Sequence, residues 1–257
     1  MDAHPRPDLV NIYEQMGASL GLRQNMARKK CRSGSPRFWQ HDSRRSRKGA
    51  ALPVRDGQQL GFAKLDSQEY EWLGYHLAVL VGAAVARVEY GLIRVGAKRE
   101  RAAISYRISP ASYAVREKEL VVHRDLSVEG QAALERASSL LAYLAWIGAT
   151  DHADDTNLIV NPARDGLKVV AIDFENAFGG DLSSIGIEIP PSPLLRLHSN
   201  RRRLEGVVRR IEGLKRSQIA RRCRASGMSA DAARRLVRSL CDRRKGLRSA
   251  LEAEGLL

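Results

Sequence analysis

The stretch Ser139–Gly148, SLLAYLAWIG, carries no charged side chain, and after Ala149 the polar segment TDHADDTN follows. A helix that is apolar around its whole circumference has to lie inside the molecule. The acids that follow therefore emerge directly from a core. The helix reads as one long element over VEGQAALERASSLLAYLAWIG. Beyond the polar segment, TNLIVN and LKVVAIDFENAF read as two strands joined by the turn PARDG. A buried helix, a loop rich in Asp, and a strand pair ending in Asp173 thus come in succession.

Those residue types point to a chemistry. The loop offers Asp151, His152, Asp154, Asp155 and Asn157, and Asp173 ends the second strand. Magnesium prefers hard oxygen ligands and takes only one or two from protein, with phosphates and waters completing its shell. Asn157 and Asp173 can supply them, and an Asp upstream can orient or deprotonate an attacking hydroxyl. That is the division of labour in phosphoryl transfer. No Cys or second His lies nearby, which disfavours zinc at His152. His152 reads as an orienting residue, and Glu175 as lying outside the ligand set.

The rest of the chain frames this segment. AALPV and LGFAKL read as short strands around a turn at Asp56-Gly57. SQEYEWLGYHLAVLVGAAV reads as a helix with Ser67 at its N-cap. ARVEYGLIRV and RAAISYRI are rich in strand formers around the turn GAKRER, and Ser109-Pro110 closes the region like a hinge. After EIPPSP, residues 201–254 alternate apolar and Arg/Lys residues at helical spacing. The expected fold is α+β and two-lobed: a small β-rich N-lobe at 51–109 and a larger helical C-lobe at 110–257. Residues 1–50 read as a basic, partly disordered arm with RFW as an apolar island.

Charge is uneven. Residues 1–50 carry 11 Lys/Arg against 4 Asp/Glu, residues 51–195 carry 14 against 19, and residues 196–257 carry 18 against 6. Basic blocks such as ARKKCR and SRRSRKG can attract nucleic acid or another polyanion, although a solvated tail and solvated helix faces account for them more simply. No apolar stretch approaches the roughly 18–20 residues of a membrane span, and the start MDAHPRPDLV does not read as a secretory signal. Three widely spaced cysteines, Cys31, Cys223 and Cys241, form neither a disulfide framework nor a zinc pattern, which fits a cytoplasmic chain.

Two resemblances follow. VVHRDLSVEG contains the HRDL that opens a protein-kinase catalytic loop, but the Asn expected five residues after Asp125 is Gly130, so His123 and Asp125 read as surface residues. TDHADDTNLIV followed by VVAIDFENAFGG instead resembles the catalytic and metal-binding segments of HipA-like kinases, relatives in design of the phosphatidylinositol 3/4-kinases. The resemblance implies ATP and Mg²⁺ as cofactors, Asp151 as catalytic Asp, and Asn157 and Asp173 as metal ligands. GFAKL resembles the strand whose Lys64 contacts ATP phosphates, with Glu69 or Glu71 in the next helix as its partner. Asp151 precedes Asn157 by six residues where the family has five, so Asp154 and Asp155 stay open as alternatives. SRRSRKGAALPV is the candidate phosphate loop and has a single glycine.

The acceptor implied is a hydroxyl of a protein or small molecule. The competing reading is a catalytically degenerate kinase-like protein that binds nucleic acid or another polyanion through its basic flanks. SQIARRCRASGMSADAARRLVRSL, helix, turn and helix, resembles a helix-turn-helix DNA reader. Helical lobes of kinase-like folds also end in such pairs.

Overall fold

Trp39 is fully buried, and it fills a small barrel that the sequence reading divided differently. The computed structural model describes residues 37–41, 51–95, 97–108, 113–114, 128–152, 157–163, 166–178 and 186–257. The chain divides at Ser35/Pro36, and everything below belongs to the unit Pro36–Leu257.

Strands β1 (Arg37–His41), β2 (Leu52–Asp56), β3 (Gln59–Lys64), β4 (Val88–Val95) and β5 (Lys98–Tyr106) close in the order β1-β2-β3-β5-β4. All neighbours are antiparallel except β1 and β4, whose parallel pairing completes the ring. β1 lies inside the stretch read as an arm, and it is a strand of the β-rich lobe. Only one of its five residues faces inward, so its alternation carries almost no periodic signal. Burying the Trp39 side chain is worth about 2–3 kcal/mol, enough to recruit a strand that its sequence barely announces. Asp56 pairs with Gln59, and Gly57 takes φ +58° at the turn between them, as the Asp-Gly pair predicts.

Helix α1 (Gln68–Val81) follows. Ser67 precedes it but adopts φ +53° and makes no side-chain cap, so the expected capping role is corrected. The single long helix expected over residues 128–148 is two helices, α2 (Val128–Ala137) and α3 (Ser139–Ile147). Ser138 Oγ and Ser139 Oγ donate to the carbonyls of Glu135 and Arg136, a local competition that bends a helix axis. Every side chain from Leu140 to Ile147 is buried, as its apolar circumference requires.

A second, three-stranded sheet runs β6 (Tyr113–Ala114), β7 (Leu158–Ala163), β8 (Gly166–Ala171), and β7 extends into the segment expected to turn. Helices α4 (Pro193–Leu197), α5 (Arg201–Glu212), α6 (Arg216–Ala225) and α7 (Ala230–Ala253) complete the helical part. Ser229 Oγ caps α7 through the Ala232 N–H, as expected. One core cluster joins α1, α3, β8 and the four C-terminal helices. No helix among the described residues is long and apolar enough to cross a membrane. Ser109-Pro110, His123, Asp125, Asp154, Asp155 and the SRRSRKG segment lie outside the described residues.

Candidate active site

Strand β3 ends at Lys64, whose side chain is nearly buried, and three carboxylates converge on its ammonium. Glu71 Oε1 lies 2.7 Å from Nζ, Asp173 Oδ1 2.5 Å and Glu175 Oε2 3.1 Å. Glu71 comes from the first turn of α1, whereas Asp173 and Glu175 come from the chain leaving β8. The pairing therefore ties Lys64 to residues 7, 109 and 111 positions further along the chain, in two other segments. Of the two glutamates expected as partners for Lys64, Glu71 holds it. Glu69 lies within electrostatic reach of Tyr90 instead.

Burial works against the Lys64 charge, but Glu71 and Asp173 outweigh it and raise its pKa above the ordinary value. Burial pushes the Glu71 carboxyl up to about 7, with Lys64 pulling it down. Glu71 Oε1 also accepts the main-chain N–H of Phe174 at 2.9 Å. One carboxylate oxygen thus fixes both the lysine and the turn that carries Asp173.

That turn is built from unusual backbone. Asp173 has φ +64° and Phe178 φ +63°, a region that L-residues enter only when surroundings hold them there. The surroundings are specific. Phe174 is buried against Gly74 of α1, where a Cβ would meet its ring at 2.5 Å. Its ring also packs edge-on against Tyr143 at 6.3 Å and stacks on His152 at 5.6 Å. The Tyr143 hydroxyl donates to the Gly74 carbonyl.

A second group forms where α3 ends. After Gly148 the chain makes a short 3-10 turn, Thr150–His152. His152 is fully buried, with Nδ1 3.0 Å from Asp151 Oδ1 and Nε2 3.0 Å from the Ile172 carbonyl. Asn157 Nδ2 reaches the Asp151 carbonyl at 3.3 Å and its Oδ2 at 3.4 Å, and Asn176 Nδ2 reaches the same Oδ2 at 3.3 Å. The six-residue spacing therefore still brings Asp151 and Asn157 together.

The hairpin register links this group to Asp173. Leu158 pairs with Ala171, and the Ile172 N–H donates to the Asn157 carbonyl at 2.9 Å. Asn157 and Asp173 consequently flank the same open end of the β7–β8 ladder. Sequence reasoning did not single out Asn176 and set Glu175 aside. The signal available was their position two and three residues beyond Asp173, in the same turn.

The donor set suits a divalent cation bound with phosphate. Glu71, Asp173 and Glu175 outnumber the one ammonium among them, and Asp151 adds further negative charge beside Asn157. Among the described residues, no three His, Cys, Asp or Glu side chains form a metal cage on their own.

This arrangement, a β-rich lobe carrying a lysine, a helix carrying its glutamate, and a helical lobe carrying Asp and Asn, is a kinase-like fold. The structure is similar to the Helicobacter pylori proinflammatory kinase CtkA, with a TM-score of 0.54 at 11% identity over 81% of this chain and 94% of that one. Looser similarities, both with a TM-score of 0.39, are to WaaP in complex with acyl carrier protein (13% identity, 82% of each chain) and to HipA of Shewanella oneidensis MR-1 in complex with HipB and operator DNA (12% identity, 93% of this chain and 70% of that one). No family model matches the sequence, and no curated protein matches it.

Proposed function

We propose that the protein is an ATP- and Mg²⁺-dependent phosphotransferase of HipA-like design, acting on a hydroxyl of a protein or small molecule. The observation that carries this is the Lys64–Glu71–Asp173 cluster facing the Asp151–Asn157 pair across one hairpin end. In this reading Lys64 exchanges a carboxylate partner for nucleotide phosphate, while Glu71 keeps it oriented. Asp173 and Asn157 would hold the metal, which offsets charge on the transferring phosphoryl group.

The chemistry is a displacement at phosphorus. The acceptor oxygen forms a bond to the terminal phosphorus, the bond to the β–γ bridging oxygen breaks, and ADP departs. The acceptor proton passes to Asp151, whose carboxylate is steered by His152, Asn157 and Asn176. His152, locked between Asp151 and the Ile172 carbonyl, acts on orientation alone.

Thermal unfolding with ATP, with and without Mg²⁺, tests the assignment in wild type and Asp173→Asn. Asn tolerates the positive φ at this position, so the variant keeps its backbone. Wild type should gain about 2.7 kcal/mol at ligand one hundredfold above Kd in the presence of Mg²⁺, and the variant should not. A chain that shows no nucleotide response yet binds polyanions with a steep salt dependence would instead be a degenerate kinase-like binding protein.

A further inference from the structure

Lys64 is not isolated on its sheet. It lies opposite Ala103 in the β3–β5 ladder, and Ala103 lies opposite Tyr90 in the β5–β4 ladder. Directly opposed residues share a face, so Lys64 and Tyr90 end one row across three strands, about 10 Å apart at the usual strand spacing. Helix α1 packs on this face and touches both ends of the row. Glu71 takes the Lys64 end, while Trp72 stacks on Tyr90 with centroids 5.7 Å apart and planes 8° from parallel. Successive helical residues point about 100° apart. Holding 71 and 72 at once therefore fixes the rotation of α1 about its own axis.

What holds Tyr90 comes from the far end of the chain. Its hydroxyl donates to the Ser226 carbonyl, at the end of α6. Arg101 places its guanidinium 3.5 Å from the centre of the Tyr90 ring. Gly227, at φ +90°, admits that arginine so closely that a Cβ there would meet Nη1 at 3.2 Å. One helical turn beyond Trp72, the His76 ring lies against the indole, with centroids 3.7 Å apart and planes tilted by 30°. The segment that resembles a DNA reader thus presents its interhelical turn to the β-rich lobe.

We propose that the Ser226–Gly227 turn, acting through Tyr90 and Trp72, is a positioning element that holds α1 in the orientation in which Glu71 reaches Lys64. The C-terminal helix pair then governs how much of the population has the Lys64–Glu71 pair closed. Any consequence for phosphotransfer rests on the function proposed above, but the pairing itself does not, and it is measured without nucleotide.

The measurement is the acetylation rate of Lys64 by an amine-reactive ester, followed by mass spectrometry on the full chain. Tyr90→Phe removes only the hydroxyl, and its Lys64 rate should rise about fivefold, the population change expected from one lost hydrogen bond. Trp72→Leu should raise it further. Adding Glu71→Gln to either should give less than the product of the separate effects, because all act through one helix. Ile211→Val, a core change in α5, should lower the melting temperature without changing the Lys64 rate. Wild-type rates in both Tyr90→Phe and Trp72→Leu would overturn the proposal, and so would equal acceleration in Ile211→Val. If the labelling behaves as expected and wild type still ignores Mg²⁺-ATP, the function fails while the positioning element stands.

Discussion

Glu71 and Phe174 are joined by a 2.9 Å hydrogen bond from the Phe174 main-chain N–H to Glu71 Oε1, the same oxygen that holds Lys64. The state of α1 and the state of the Asp173 turn are therefore not independent. Moving the helix would break a buried ion pair and orphan a main-chain donor together, so the two halves of the candidate site form as a unit.

Glu71→Ala should lower stability by about 2–3 kcal/mol, somewhat less than removing the sole partner of a buried charge, because Asp173 and Glu175 remain beside Lys64. Urea denaturation reads this directly. A loss below about 0.5 kcal/mol, the range of ordinary surface substitutions, would mean that Glu71 does not anchor the cluster.

Gly74→Ala should be far more damaging than a helix-interior Gly→Ala change normally is. Ala is intrinsically favoured there by about 1 kcal/mol. Here its Cβ would meet the Phe174 ring at 2.5 Å, so the ring or α1 must move. Overpacking of this kind costs about 1–3 kcal/mol. The displaced ring should also abolish the Mg²⁺-ATP response, and a variant more stable than wild type with that response intact would refute the argument.

His76 supplies a pH dependence. Burial, and then the charge of Arg222, push its pKa down from 6.5 to about 4. The folded chain therefore binds fewer protons at this site than the unfolded chain between those values. The stability tied to neutral His76 is present above pH 6.5 and is lost as pH falls toward 4. His76→Phe, which keeps an aromatic ring on Trp72, should flatten that part of the profile. Parallel denaturation curves for the two proteins at pH 7.5 and 5.0, shifted equally by acid, would contradict it.

Arg243 is buried in α7 and closes the end of α3. Its Nη2 donates to the Ala145 carbonyl at 2.7 Å, which also accepts the Gly148 N–H at 3.3 Å, and its Nε to the Trp146 carbonyl at 3.0 Å, both in the last turn, where a helix runs short of intrahelical donors. Burial lowers its pKa. Arg243→Met should cost about 1–3 kcal/mol, the range for a buried carbonyl that loses its donor, because Ala145 keeps the Gly148 N–H. Because α3 ends three residues before Thr150, amide exchange near Asp151 should accelerate as well. Unchanged exchange there would show that the loop is anchored from elsewhere.

Much of the fold was legible along the chain because the signals were local. The Asp56-Gly57 turn, the apolar circumference of α3, the Ser229 cap and the β7–β8 hairpin each depend on residues close in sequence. β1 and the break at Ser138 were not legible. The first depends on a single inward Trp39, and the second on hydroxyls turning back to carbonyls inside a run of otherwise helical residues.

The candidate site divides in the same way. Residue type and spacing along the chain put Asn157 and Asp173 at the mouth of one hairpin, with Asp151, Asp154 or Asp155 just upstream and Lys64 at the end of a strand before a helix bearing two glutamates. Only the tertiary structure decided between Glu69 and Glu71. That choice depends on the rotation of α1, which is fixed by Tyr90, Phe174 and the Ser226–Gly227 turn, over 150 residues away. It likewise brought Glu175 onto Lys64 and Asn176 onto Asp151, because a backbone held at positive φ redirects the side chains that follow. Contacts between distant segments depend on how whole elements pack, and no window of neighbouring residues encodes that.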